Sequence, residues 1–203
     1  MKQNKDDICM KVIGLTGGVG SGKSLVADLL ERKYQAYLIN MDQIAHNLMK
    51  KGNLSYQLIL EYFGMEILNE AGEIDRKKLG SIAYKDEERL SRLNSFTHPY
   101  VIQYTKKQIE EQKEKRLVCV ETALPLQAGL EDYCDEIWYV FAPEEVRRER
   151  LKKTRNYDDK KIEMIFKNQI TEEEYKRLST HVLENYQVSV SLEKQIEILL
   201  AGK

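Results

Sequence analysis

The sequence predicts an α/β protein built around a five-stranded parallel sheet. Five short apolar runs alternate with segments whose apolar residues recur at helical spacing. This alternation is typical of a parallel sheet whose two faces are covered by helices. A glycine-rich run also stands between the first apolar run and the first helical segment, as expected where a strand turns directly into a helix. The predicted strands are residues 12–16, 37–41, 117–122, 137–141 and 181–184.

The spacing of these strands predicts an inserted helical region. Residues 42–116 separate the second and third strands, whereas only residues 17–36 separate the first two. An insertion at the carboxyl edge of an open α/β sheet lies where ligands bind, so we interpret it as a substrate-binding subdomain. Pro99 either interrupts the last of its helices or starts a new one. The predicted helices are 43–51, 56–63, 76–84 and 87–115, with a closing helix at 193–200.

Composition narrows the class of protein. The net charge of −1 over 203 residues gives no overall attraction to nucleic acid or to an anionic membrane. The cysteines, Cys9, Cys119 and Cys134, lack metal-ligand spacing and are odd in number, which favours a reducing cytoplasm. No apolar stretch reaches membrane-spanning length. Met10, just before the first strand, is a candidate for an alternative start of translation.

The glycine-rich run matches G-x-x-x-x-G-K-[ST] in full and follows a strand, which predicts a phosphate-binding loop. Glycines let consecutive backbone N–H groups turn towards phosphate oxygens, and the next helix adds its own unpaired N–H groups. The lysine is expected to bridge terminal phosphates, and the serine is a candidate ligand of Mg²⁺. A flexible glycine turn is the alternative. The residues are Gly17, Gly18, Val19, Gly20, Ser21, Gly22, Lys23 and Ser24.

Phosphoryl transfer to an alcohol also needs a group that orients the hydroxyl and accepts its proton. Asp42 follows the second predicted strand and is the candidate for this role. The alternative is that Asp42 caps the helix predicted from Gln43, and both roles are compatible.

A basic segment follows the fourth strand directly, between Pro143 and Lys161. For most of its residues a solvated helix face, with Glu144, Glu145 and Glu149 as partners, is the simpler interpretation. A mobile segment at this edge is also typical of a lid that supplies arginines to a transferring phosphoryl group. Its basic residues are Arg147, Arg148, Arg150, Lys152, Lys153, Arg155, Lys160 and Lys161.

These motifs together resemble the dephospho-coenzyme A kinase family. The run from Val12 to Ser24 is similar to the opening of those sequences. Further similarity lies in Asp75-Arg76 with Leu79, in Leu93-Asn94 followed by His98-Pro99, in Ala142-Pro143 through Arg150 to Arg155, and in Gln169 and Asn185.

The resemblance implies a three-layer P-loop kinase fold with a core, a helical domain that binds coenzyme A and a lid. It implies transfer of the γ-phosphoryl group of ATP, with Mg²⁺, to the ribose 3′-hydroxyl of dephospho-coenzyme A. On this basis the core is residues 10–42, 116–146 and 170–203, the insertion 43–115 and the lid 147–169. A cytoplasmic enzyme, monomeric or weakly oligomeric, is expected. The implied catalytic residues are Asp42, Lys23 and Arg155, and the implied substrate-binding residues are Thr16, Asp42, Arg76, His98 and Arg150.

The chain departs from the family pattern at several positions. The family's D-A-D is Asn40-Met41-Asp42 here, an arginine common after that motif is His46, and the acidic residue of the P-L-L-F-E segment is replaced near Pro125, with Glu121 as a possible substitute. His46 is interpreted as a surface or structural residue. The alternatives are another P-loop small-molecule or nucleotide kinase, or a catalytically weakened nucleotide-binding relative.

Overall fold

A computed structural model describes residues 10–187 and 189–202 and confirms the predicted α/β class. The sheet has the order β2-β3-β1-β4-β5, and β1 pairs in parallel with both β3 and β4, as β4 does with β5. Residues 1–9, which include Cys9 and the segment before the alternative start, lie outside the described part. The strands are β1 Lys11–Thr16, β2 Tyr37–Asn40, β3 Leu117–Glu121, β4 Glu136–Phe141 and β5 His181–Glu184.

The helices follow the predicted pattern, with the region around Pro99 divided in two. One helix ends at Ser95 and the next begins at His98, so that Pro99 lies in a first helical turn, where its missing N–H costs little. Over residues 10–187 and 189–202, no helix combines the length and the apolar character needed to cross a membrane. The helices are α1 Lys23–Tyr34, α2 Met41–Leu48, α3 Leu54–Phe63, α4 Arg76–Ala83, α5 Glu87–Ser95, α6 His98–Glu111, α7 Pro125–Ala128, α8 Glu144–Arg155, α9 Asp159–Lys167, α10 Glu172–Leu178 and α11 Leu192–Ala201.

Both faces of the sheet are covered. On one face, alternate residues of β1, β3, β4 and β5 pack with α1 and α11 in a cluster that includes the fully buried Trp138. On the other face the Tyr139 ring stacks on Tyr175 of α10, with ring centroids 4.8 Å apart. Gly14 on that face lies against Leu130, leaving little room for a side chain. Trp138 is therefore a core residue.

The chain divides into two compact units. The first comprises the described residues of Met1–Ile39 and Glu111–Lys203 and contains most of the sheet; the second is Asn40–Glu110. The second unit has its own apolar core, in which Ile59 and Phe63 of α3 pack with Leu79 and Ala83 of α4. The second unit is thus a separate helical body. The roles predicted for segments 43–115 and 147–169 stay predictions.

Candidate active site

The glycine-rich loop leaves the carboxyl end of β1 and runs into α1, which begins at Lys23. Its backbone requires glycine at particular positions. Gly17, Gly20 and Gly22 have φ values of 151°, 85° and 98°, in the left-handed region that side chains disfavour. A Cβ on Gly17 would lie 2.5 Å from the Val140 carbonyl oxygen, and one on Gly22 would lie 2.0 Å from Asn185 Nδ2. The glycines therefore serve close packing as well as backbone shape.

The two polar side chains at the start of α1 are of the types that bind a phosphate and a metal ion. Lys23 Nζ donates to the Gly17 carbonyl at 2.7 Å, which holds the ammonium group against the loop. Ser24 Oγ lies 3.5 Å from Glu121 Oε1 at the end of the neighbouring strand β3. A hydroxyl and a carboxylate are oxygen donors of the type that Mg²⁺ prefers. The residues present therefore fit a magnesium site beside the loop.

Two buried hydroxyls lie in or beside this loop without a partner. In the part of the chain that the structure describes, four buried side-chain hydroxyls have no hydrogen-bond partner, and Thr16 and Ser21 are two of them. Ser21 Oγ points towards Gly17, 2.9 Å from where a Cβ would stand. Leaving a buried hydroxyl unpaired costs free energy, so each such group calls for an explanation, and a ligand that it binds is one. Their place in and beside the loop supports a ligand site there.

A clamp of two residues holds the outer side of the loop. The Arg150 guanidinium donates to the carbonyl oxygens of Gly20 at 3.3 Å, Ser21 at 3.1 Å and Asn185 at 2.8 Å. Asn185 Nδ2 donates to the Ser21 carbonyl at 2.7 Å. We call Arg150 and Asn185 the loop clamp. The Gly20 and Ser21 carbonyls are thus engaged by the clamp, and the Ser21 N–H donates to the Gly18 carbonyl at 3.1 Å, so the shape of the loop is fixed without a ligand.

A second arginine of α8 covers the start of the loop. Arg147 Nη1 lies 2.1 Å from where a Cβ on Gly18 would stand, and it donates to Gln169 Oε1 at 3.0 Å. Its guanidinium also stacks on the Phe166 ring at 4.4 Å from the centroid, a favourable cation–π distance. Arg147 and Gln169 were not among the predicted site residues, although Gln169 belongs to the resemblance.

Three other basic residues of this segment, Arg148, Lys152 and Lys153, form ion pairs with nearby acids. Arg148 bonds Glu144 at 2.8 Å and Glu163 at 2.6 Å, and Lys152 pairs with Asp159 at 2.7 Å. These contacts join α8 to α9 and agree with the solvated-face interpretation for those residues. Arg155 is the last residue of α8 and is exposed.

In the second unit, Asn40 and not Asp42 caps α2. Asn40 Oδ1 accepts the Gln43 N–H at 2.8 Å, and the helix begins at Met41. The alternative that Asp42 caps a helix starting at Gln43 is therefore wrong, because the helix already begins at Met41 and Asn40, two residues before Asp42, is its cap. Asp42 is an exposed residue of the first helical turn, where its negative charge is favourable next to the helix dipole.

The other predicted substrate-binding residues of the second unit are Arg76 and His98. Arg76 is the first residue of α4, which Asp75 caps, and its Nη1 lies 3.3 Å from His46 Nδ1. His98 begins α6 and is half-buried; burial lowers the pKa of its imidazole below the usual value of 6.5. Both residues stay predictions as substrate ligands.

Some members of the site lacked a clear signal in the sequence. Glu121 is the last residue of an apolar strand, and its place next to Ser24 follows only once β3 is known to pair with β1. Asn185 is the residue directly after β5. Glu121 and Asn185 both lie at the carboxyl end of a parallel strand, and this shared position is the signal that could have grouped them.

A glycine loop carries a lysine and a serine into the first helix of a parallel α/β sheet, and a separate helical body follows β2. These features define the class of protein as a P-loop phosphotransferase. Comparison with known proteins makes this specific. The family model for dephospho-CoA kinase matches residues 11–190. The chain belongs to the dephospho-CoA kinase family, as the resemblance predicts. Membership implies ATP as co-substrate and a small molecule as acceptor.

Individual relatives agree over nearly the whole chain. A dephospho-CoA kinase of Lactobacillus johnsonii is 35% identical over 190 residues, covering 93% of this chain and 96% of that one. One of Aquifex aeolicus is 37% identical over 176 residues, covering 87% and 89%. The crystal structure of TT1252 from Thermus thermophilus has a TM-score of 0.80 at 28% identity, covering 95% of this chain and 97% of that one.

Proposed function

We propose that this protein transfers the γ-phosphoryl group of ATP to the ribose 3′-hydroxyl of dephospho-CoA, giving CoA in the last step of its synthesis. The observation that carries the proposal is the structure of the loop. Lys23 and the loop clamp bond to its carbonyls, and Ser24 and Glu121 lie together beside it, in a chain that belongs to this family. Phosphoryl transfer depends mainly on positioning and on stabilising charge, and this loop is built for both. The reducing compartment predicted from the cysteines, the cytoplasm, is part of the proposal.

The nucleotide side of the reaction falls to the first unit. The N–H groups of residues 17–24 would surround the β- and γ-phosphates, with the Lys23 ammonium group bonded to their oxygens. Mg²⁺ would be held by Ser24, with Glu121 as a second oxygen donor, and would neutralise charge on the phosphates. Arg155 and the segment 147–169 are assigned to the lid, which excludes water and so limits hydrolysis of ATP.

The acceptor side falls to Thr16 and the second unit. Asp42 stands two residues after β2, and we assign to its carboxylate the orientation of the ribose hydroxyl and removal of its proton. The unpaired Thr16 hydroxyl supports a polar contact to a ligand at the end of β1. Arg76, His98 and Arg150 complete the proposed substrate contacts, with Arg150 acting through the loop that it holds.

A direct assay tests this proposal. Incubation with ATP, Mg²⁺ and dephospho-CoA should yield CoA, identified by chromatography and by mass as the 3′-phosphate. Lys23→Ala and Asp42→Asn should each lower kcat by about 10² or more, since they remove charge stabilisation and the general base. Asp28→Asn is the matched control: it changes a half-buried aspartate of α1 that forms a salt bridge with Arg32, and it should retain activity.

Each negative result of this assay leads to a different conclusion. If nucleosides, nucleotides or shikimate were phosphorylated and dephospho-CoA were not, the chain would be another small-molecule kinase. If ATP bound without transfer to any acceptor, the chain would be a nucleotide-binding relative that has lost catalysis. Near-normal turnover of Asp42→Asn would contradict the role assigned to that carboxylate alone.

A further inference from the structure

A glutamine of the last helix bonds to the outer edge of the sheet. β5 stands at one end of the strand order β2-β3-β1-β4-β5, so its outer side pairs with none of the described strands. Gln195 Oε1 accepts the Glu184 N–H at 2.8 Å, and Gln195 Nε2 donates to the Glu184 carbonyl at 2.9 Å. A side-chain amide has the donor and the acceptor of a peptide group, so Gln195 takes the place of a neighbouring strand at this residue.

Gln195 is itself held in place by its helix. The next residue of α11, Ile196, is fully buried in the apolar cluster that covers one face of the sheet. Gln195 Nε2 also donates to the Val190 carbonyl at 3.0 Å, in the connection between β5 and α11. The half-buried amide therefore uses both of its N–H donors and its carbonyl oxygen to fix the end of β5 to α11.

The residue that Gln195 fixes is followed directly by the clamp residue Asn185. The Asn185 N–H donates to the Phe141 carbonyl of β4 at 2.8 Å, so β4 holds the inner side of the chain here. The Asn185 side chain donates to the Ser21 carbonyl, and the Asn185 carbonyl accepts from Arg150 at 2.8 Å. Both of these clamp contacts depend on where the end of β5 lies.

The packing leaves the Asn185 side chain little freedom. A Cβ on Gly22 would lie 2.0 Å from Asn185 Nδ2, so this amide lies directly against the loop and cannot move towards it. Movement away from the loop lengthens the 2.7 Å hydrogen bond to the Ser21 carbonyl. Because such bonds weaken beyond about 3.2 Å, a shift of about 0.5 Å at the end of β5 takes this bond out of its normal range.

We propose that Gln195 is a positioning residue for ATP. By fixing the outer edge of β5 it places Asn185, and through Asn185 it holds the phosphate loop in its binding shape. Its own hydrogen bonds go to Glu184 and Val190, so its effect on the loop passes through Asn185. This inference rests on the proposed function only in taking ATP as the nucleotide.

Calorimetry of ATP binding in the presence of Mg²⁺ tests this with Gln195→Leu, Asn185→Ala and the double variant. Loss of a hydrogen bond that orders the loop changes affinity about five- to tenfold, so Asn185→Ala should raise the Kd of ATP about tenfold and Gln195→Leu about fivefold. Because Gln195 acts through Asn185, the double variant should stay within about twofold of Asn185→Ala. Independent effects would multiply to about fiftyfold, and that result would overturn the proposal.

Two further measurements separate positioning from general stability. Glu197→Leu is the matched control, since it changes an exposed residue of α11 that forms a salt bridge with Lys194, and the Kd of ATP should stay the same. In amide hydrogen exchange, the Glu184 N–H should exchange at least about tenfold faster in Gln195→Leu, because it loses its acceptor. A lower melting temperature with an unchanged Kd, or equal exchange of this N–H, would show a structural role alone.

A milder substitution covers the case in which Gln195→Leu does not fold. Thermal denaturation shows whether each variant is folded at the assay temperature. Gln195→Glu keeps the acceptor for the Glu184 N–H and loses both donors. It should raise the Kd of ATP about threefold, and this rise should again disappear when Asn185 is already alanine.

The acceptor plays no part in these binding measurements, so the proposal and the proposed function can fail separately. If ATP binds and no CoA forms with wild type, the acceptor is wrong, and the Kd values still decide the role of Gln195. If CoA forms and Gln195→Leu binds ATP as wild type does, the reaction stands and the positioning role is wrong. In the steady state, Gln195→Leu should raise the KM for ATP about fivefold and leave kcat and the KM for dephospho-CoA within about twofold.

Discussion

The loop clamp makes a prediction that can be worked from its contacts. Arg150→Ala removes hydrogen bonds of 3.3, 3.1 and 2.8 Å from a half-buried guanidinium group to three carbonyl oxygens. Hydrogen bonds to charged groups contribute about 1.5 to 3 kcal/mol each, and three on one group do not add fully. With allowance for partial exposure, we expect the free energy of unfolding to fall by about 3 kcal/mol.

The same substitution should weaken ATP binding although the hydrogen bonds of Arg150 described above all go to backbone carbonyls. Without Arg150 the Gly20 carbonyl loses its bond to the clamp and the Ser21 carbonyl keeps only the one from Asn185, so ordering the loop becomes part of the cost of binding. We expect the Kd of ATP to rise at least about tenfold, or about 1.4 kcal/mol. Urea denaturation measures the stability, and calorimetry with ATP measures the affinity.

A control and an opposing outcome make this test decisive. Arg32→Ala removes an exposed arginine of α1 whose salt bridge to Asp28 lies at the surface, and both quantities should change little. If Arg150 instead acts as a direct ligand of substrate, Arg150→Ala would weaken binding and leave the stability of the free protein unchanged. That pattern would refute the clamp, as would an ATP Kd within about twofold of wild type.

Further predictions concern single groups. Asn40→Ala should lower the stability of the second unit by about 1 kcal/mol in urea denaturation, whereas Asn40→Asp should keep it, because both Asn and Asp cap helices. Burial lowers the pKa of His98, so the unfolded chain binds its proton first and stability should fall as pH drops below 6.5; His98→Gln should flatten that profile. Burial raises the pKa of the Cys119 and Cys134 thiols, the latter to about 12, so both should react with a disulfide reagent only after unfolding.

The sheet and the loop could be predicted because their signals are local. Apolar runs fix the strands, and the glycine motif fixes the phosphate loop, each within a few neighbouring residues. The second strand was predicted to reach Met41 but ends at Asn40, because Asn40 caps α2 and the chain becomes helical at Met41. A polar cap of this kind is visible in the sequence only after the helix start is known.

The clamp could not be predicted because its contacts are distant in the chain. Arg150 lies 129 residues from Ser21 and 35 from Asn185. The basic segment contains several arginines, and only their positions around the axis of α8 distinguish those that contact the loop from those that do not. Arg147, Arg150 and Leu151 share one helix face, and Leu151 is the buried residue of that helix. Arg148 lies off this face and pairs with acids instead.

Asn40 stands where the family pattern has an acid. It removes a negative charge but keeps the cap of α2, and the lost charge bears on activity. Asn40 caps α2 through Oδ1, which an aspartate in the same position would also do. The position of Asp42 one residue into that helix is therefore the same with either residue. Relative to the family pattern, the chain lacks one negative charge close in sequence to Asp42, the proposed general base, so Asn40→Asp should alter kcat or the dependence on Mg²⁺ and leave the fold as it is. An increase in kcat after this substitution, with unchanged stability, would indicate that the loss of the first acid slows this enzyme; no change would indicate that Asp42 suffices.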